Sequence, residues 1–337
     1  MRPRWATAAL IGVMIIAPAS ARAETGLRLS EASGSRFPER TYALTLPAPR
    51  VLDADSVRVT EDGRAVDSLS VLPPGGASAH RFGVVLAIDV SGSMRGRPLR
   101  GALSAARAFV RHRNPGQPVA VVTFAGATRV AQPFTTDPAA IERALSGIAT
   151  DRGRTHVIDA VGEAIALVER SGIQSGSLVL LSDGGDHGSV ATREKVTADA
   201  SAAGVRIFSI GLRSGDADFG TLNLLAAETR GEFSSASSIR DLTRIYDRLG
   251  SRLASQYLVR YRSSARPHKR VAVDVSVRGV AGTASAVYET PALPRAVHAP
   301  FRRSPQAALW RSGATGGAPS DPADARAGPC DSDIEAP

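Results

Sequence analysis

The stretch Val84-Val85-Leu86-Ala87-Ile88 is uniformly apolar and ends on Asp89, with Ser91 and Ser93 following at alternate positions. A short apolar run of this kind, bounded by turn residues, reads as a strand buried on both faces, as in a parallel sheet. That excludes a solvated hairpin and calls for helices above and below. Ligands of open α/β sheets bind just beyond the carboxyl ends of such strands. Asp89, Ser91 and Ser93 would stand at that edge, one anionic and two neutral oxygen donors, which suits a hard divalent cation.

From 80 to 255 strand and helix patterns alternate, as expected of a parallel sheet covered on both sides. Leu99, Ala102, Leu103, Ala106, Phe109 and Val110 share one helical face, with Arg100, Arg107 and Arg111 opposite and Pro98 in the first turn. Val119–Phe124 and Ser177–Leu181 are further buried strands. Asp137 is a candidate N-cap for a short helix running to Ile148. Helices are expected over about 156–169, 192–203, 217–229 and 239–253, and a strand over 205–210.

The flanks change period. Residues 24–79 alternate over Tyr42–Leu46 and Ser56–Thr60, with a weaker strand over Val66–Leu72. Residues 256–300 alternate over Tyr257–Tyr261, Val271–Val277 and Ala284–Tyr288. Neither flank can bury a core alone. They are expected to pair into one β-sandwich interrupted by the α/β domain, with two separate small β modules as the competing arrangement.

Asp89-x-Ser91-x-Ser93 at the end of a first strand, Thr155 in Gly153-Arg154-Thr155-His156 and Asp183 in Leu181-Ser182-Asp183-Gly184 occur in the order of the metal-ion-dependent adhesion site of von Willebrand factor type A domains, which the chain resembles over roughly 80–255. The resemblance implies an α/β, Rossmann-like doubly wound, mainly parallel sheet. It also implies a metal site of Asp89, Ser91, Ser93, Thr155 and Asp183, holding Mg2+ or, with the same oxygen ligands, Mn2+ or Ca2+. A protein partner would supply a carboxylate to complete the ion's coordination. Arg36-Phe37-Pro38-Glu39-Arg40, Phe82–Met94, Leu181-Ser182-Asp183-Gly184 and Gln256–Tyr261 together resemble the exported type A regions of bacterial type II secretion F and Tad pilus assembly proteins.

Each position also has a plainer role. Asp89 could cap a loop, Ser91 and Ser93 could be turn residues, Thr155 could be the N-cap of the following helix, and Asp183 could form a turn. Asp159 is placed to support the site from behind, while Asp186, His187 and His156 read as solvated loop residues. A Ser–His–Asp hydrolase built on Ser91 or Ser93 with His187 has little to support it, and no phosphate-binding glycine loop with Lys and Ser/Thr is present. No enzymatic activity is expected.

The net charge of +9 comes almost wholly from arginine, since Lys195 and Lys269 are the only lysines. The arginines are scattered without basic runs or interleaved aromatics, which argues against a nucleic-acid partner. Residues 1–23 have the form of a signal peptide: Arg2 and Arg4, an apolar core over 6–17 and Ala21-Arg22-Ala23. Export to the surface or envelope follows, with an uncleaved anchor as the alternative and the sole membrane contact expected. Residues 301–337 are rich in Pro, Gly, Ser and Ala and are expected to be disordered. Cys330 is the only cysteine, so no internal disulfide or thiolate zinc site is possible. Two functions follow: a divalent-cation-dependent protein-binding module, or a structural subunit of a secretion or pilus assembly.

Overall fold

A computed structural model describes residues 26–213 and 218–292. The signal-peptide reading of 1–23, the tail from 301 and Cys330 lie outside the described residues.

The chain begins with β1 (Arg28–Glu31), β2 (Glu39–Thr45), β3 (Val57–Glu61), β4 (Arg64–Ala65) and β5 (Asp67–Leu72). The wound region then runs β6 (Phe82–Asp89), α1 (Arg97–His112), β7 (Val119–Phe124), β8 (Thr128–Thr135), α2 (Pro138–Ser146) and α3 (Val157–Ser171). It continues through β9 (Ser175–Ser182), α4 (Arg193–Ala202), β10 (Val205–Leu212), α5 (Gly220–Glu228), β11 (Glu232–Ala236) and α6 (Ile239–Leu253). Three strands close the described chain: β12 (Gln256–Arg262), β13 (Arg270–Val277) and β14 (Thr283–Glu289).

The central sheet has the order β11-β10-β9-β6-β7-β8. All its pairings are parallel except β7 with β8. The apolar runs Val84–Ile88 in β6 and Leu178–Leu181 in β9, and the mostly apolar β10, are explained by burial on both faces, where each strand feeds alternate residues to two cores. Leu86, Ile88, Leu181 and Phe208 meet α1 and α6 on one side; Val85, Ala87, Leu180 and Ile207 meet α3 on the other. Phe109 of α1 packs edge-on against Tyr246 of α6 with ring centroids 6.2 Å apart, a geometry worth about 0.5–1.5 kcal/mol beyond area burial. The fold is thus the expected doubly wound α/β type.

Two wound-region strands lie outside the sequence reading. β8 alternates between half-buried and exposed positions, and Pro133 within it marks an edge strand, where the missing donor is tolerated. β11 has the short, weakly apolar sequence Glu-Phe-Ser-Ser-Ala and gains its order by pairing with β10.

Two four-stranded antiparallel sheets form the rest of the described chain, in the orders β1-β2-β12-β5 and β14-β13-β3-β4. Strands from the two flanks interdigitate. β5 reaches its sheet only through β12, and β13 and β14 attach through β3. One core lies between the sheets, including Tyr42, Leu44, Val59, Val259, Val273 and Tyr288. Glu61 is buried there and accepts hydrogen bonds from Tyr261 at 2.8 Å, Ser263 at 2.8 Å and Tyr288 at 2.7 Å.

The opposite face of the first sheet rests on the base of the wound region. Ala43 and Leu258 pack on Phe82, at the start of β6. Ser33 N–H donates to the Gln174 carbonyl at 2.8 Å, and Arg81 Nη1 to Gln174 Oε1 at 3.1 Å. This base is the end of the parallel sheet opposite Asp89.

Candidate metal centre

At the carboxyl edge of the sheet, Asp89 ends β6 and is fully buried. Its Oδ1 accepts the Ser91 N–H at 2.8 Å and its Oδ2 accepts the Ser182 hydroxyl at 2.5 Å. The register sets this up, because Ile88 lies opposite Leu181 and the next residue of each strand is Asp89 and Ser182. Burial raises the Asp89 carboxyl above the usual carboxylate range; the Ser182 and Ser91 hydrogen bonds oppose the shift, and the nearby Asp183 carboxylate adds to it. A cation above Asp89 would relieve both the desolvation and the repulsion from Asp183.

The loop after Asp89 turns its two serines toward the β9 loop. Ser91 Oγ and Ser93 Oγ lie 3.0 Å apart, and Ser93 Oγ donates to Asp183 Oδ1 at 2.9 Å. These three oxygens form a contiguous series. In an octahedral magnesium shell with bonds of about 2.0–2.1 Å, neighbouring ligand oxygens stand about 2.9 Å apart. The observed spacing therefore fits three adjacent corners of such a shell. Two carboxylates balance a divalent charge. Among the described residues there is no cluster of three or more His, Cys, Asp or Glu side chains, so a nitrogen- or sulfur-rich cage is absent there.

Thr155 reaches the same edge on the loop before α3. It is buried, and its carbonyl accepts the His187 N–H at 2.7 Å. No hydrogen bond joins its hydroxyl to the other four site side chains among the described residues. Backbone bonds stitch the loops together: Val90 N–H to Phe124 O at 2.9 Å, Asp151 N–H to Val90 O at 2.6 Å and His156 N–H to Ala125 O at 3.0 Å. The Thr155 loop lies so close to the β7–β8 turn that a Cβ on Gly153 would sit 2.3 Å from the Gly126 nitrogen. Only glycine allows that approach.

Thr155 is not the N-cap of α3. His156 occupies that position without a side-chain cap, and Asp186 from the facing loop accepts the Ile158 N–H at 3.0 Å instead. Asp159 reciprocates, accepting the N–H groups of Val190 at 3.0 Å and Ala191 at 2.8 Å. Ser189 completes the clasp by donating to Asp186 at 2.5 Å. These contacts hold the Asp183 loop on the first turn of α3 and give Asp186 a structural role that the sequence reading left to solvent. Ser182 was also missed as the hydrogen-bond donor to Asp89; its signal lay in ending a buried strand next to Asp183. No hydrogen bond joins His156 or His187 to Ser91 or Ser93 among the described residues.

Residues 84–186 match the family model of the von Willebrand factor type A domain. No curated protein matches the sequence. Among solved structures, the chain is similar to a von Willebrand factor type A protein from Catenulispora acidiphila, at 14% identity and TM-score 0.49 over 79% of this chain and 73% of that one. It is similar to an aerotolerance-related membrane protein from Bacteroides fragilis, at 17% identity and TM-score 0.44 over 51% of this chain and 98% of that one. It is also similar to proximal thread matrix protein 1 of the mussel byssus with a zinc-occupied MIDAS motif, at 21% identity and TM-score 0.47 over 59% and 50% of the two chains.

Proposed function

For a chain that carries a von Willebrand factor type A domain, we propose a divalent-cation-dependent protein-binding module whose metal site engages an acidic group on a partner. The observation that carries this reading is the run of Ser91, Ser93 and Asp183 oxygens at 2.9–3.0 Å above the buried Asp89. In it, Ser91, Ser93 and Asp183 hold the ion directly, Asp89 fixes the Ser91 backbone and supplies charge from below, and Thr155 offers a further oxygen. The bound ion, magnesium in the first instance, supplies an electrophilic position that a partner carboxylate can occupy. Catalysis has no part in this reading.

The rim favours the same class of partner. Arg95, Arg97, Arg152 and Arg154 are exposed within a few residues of Ser93 and Thr155. Asp151 on that rim faces Arg129 at 3.8 Å. Positive potential around the ion speeds encounter with an acidic surface and disfavours basic ones. Export to the surface or envelope belongs to the proposal through the signal-peptide form of residues 1–23.

The test is thermal unfolding of the full chain against magnesium concentration, beside Asp89→Ala. Binding to the folded state alone stabilises by about 2.7 kcal/mol at a hundredfold excess over Kd. A midpoint that rises with magnesium in the wild type and stays flat in Asp89→Ala supports the site. A flat response in both removes the cation-dependent reading and leaves a structural subunit of a surface assembly, which rests on the sequence likeness to secretion and pilus proteins.

A further inference from the structure

The junction between the sandwich and the wound sheet holds a buried cation that its surroundings leave largely uncompensated. Arg206, the second residue of β10, is 3% exposed. Its Nη1 donates to Thr45 Oγ1 at 3.0 Å, while Nε and Nη2 are buried without hydrogen-bond partners. The charged groups that act on it most strongly, Arg252 and Arg28, carry its own sign, and with burial as the main cause they lower its pKa to about 9. Arg252 itself forms an ion pair with Glu232. Arg40 shows the usual solution for a buried arginine in this fold, with Glu31 at 2.6 Å.

Arg206 also lines a cleft of about 450 Å³. Two open strand edges bound it, β1 from one sandwich sheet and β14 from the other, together with the Arg230-Gly231 turn that leads into β11. Arg28 and Arg230 line it with Arg206, the hydroxyl residues Ser30 and Thr283 stand among them, and no carboxylate side chain lines it among the described residues. Guanidinium groups with hydroxyl donors are the side chains that recognise carboxylate and phosphate oxygens.

We infer that this cleft is an anion-binding site that takes a small oxyanion, phosphate or carboxylate, between the sandwich and the base of the wound sheet. The bound anion offsets the charge of Arg206 and bridges the edges of β1 and β14 to the Arg230-Gly231 turn. The site is separate from the Asp89 site, because Arg206 lies near the start of its parallel strand and Asp89 at the end of another.

The test uses the full chain in EDTA, with inorganic phosphate and acetate titrated separately against sodium chloride at equal ionic strength, read by thermal unfolding and by calorimetry. A saturable rise in midpoint is expected in the wild type and equally in Asp89→Ala. Arg230→Asn, which keeps a residue tolerant of the φ of 57° found there, should weaken the Kd at least tenfold. Arg206→Met should abolish the response and, without anion, melt above the wild type. Saturation by phosphate alone or by acetate alone identifies the ligand class. Neither anion exceeding chloride, or Arg230→Asn binding as the wild type does, overturns the site. Should Arg206→Met not fold, Arg230→Asn decides alone.

Discussion

The Ser93 hydroxyl donates to Asp183 at 2.9 Å, joining two loops whose residues stand 90 positions apart. Between them, Ser93 and Asp183 give the edge of the sheet a pair of oxygens at the spacing of neighbouring ligands. Ser93 is exposed, so Ser93→Ala should change folding stability by no more than about 0.5 kcal/mol. Magnesium affinity should fall about tenfold or more, equivalent to about 1.4 kcal/mol. Calorimetric titration alongside denaturant unfolding separates the two effects. Unchanged affinity would remove Ser93 from the ligand set.

Asp186 connects the site to the helix behind it. Asp186→Ala leaves the Ile158 N–H at the start of α3 without its acceptor and frees Ser189, and loss of a cap costs about 0.5–2 kcal/mol. Since the same clasp positions the Asp183 loop, magnesium affinity should fall together with stability. Urea unfolding and metal titration on one variant check both; a stability loss with affinity intact would show that the clasp serves the helix only.

The Glu61 carboxylate, on β3, receives the Tyr261 and Tyr288 hydroxyls from β12 and β14. Tyr261→Phe removes one donor from a buried acceptor and should cost about 1–3 kcal/mol. Urea unfolding measures it. A change near zero would mean that the remaining hydroxyls satisfy Glu61.

Arg206 sets an alkaline signature. Burial, with Arg252 and Arg28 nearby, lowers its folded-state pKa to about 9, well below the ordinary arginine value that it keeps when unfolded. Below pH 9 the native state bears the cost of a buried cation. As pH rises through 9 the native state sheds a proton that the unfolded state keeps, so stability gains by at most about 1.4 kcal/mol per pH unit from this group. Wild type should therefore gain on Arg206→Met between pH 8.5 and about 10.5, read as the difference between the two unfolding curves. Parallel curves would contradict it.

Local pattern carried the elements whose burial is uniform. Val84–Asp89 reads as a strand covered on both faces, and the spacing of Leu99, Ala102, Ala106 and Phe109 as a helix with one buried side, because the apolar pattern follows the environment of each face. β8 and β11 lacked such patterns: one carries a proline, the other is five residues long, and both depend on a neighbour for their hydrogen bonds.

From the sequence alone came the doubly wound α/β class and a set of residues chemically able to offer oxygen to a hard cation. The tertiary structure decided which oxygens meet. It brought Ser93 to Asp183 and Ser182 to Asp89, and left the Thr155 hydroxyl outside that hydrogen-bonded series. It gave the capping of α3 to Asp186 from another loop, threaded β12 between β2 and β5, and set Arg206 at a seam between two sheets. Strand period and helix spacing are local properties of a chain, encoded over a few residues. Closure of loops across 90 to more than 200 positions depends on register and packing throughout the molecule, which no local pattern contains.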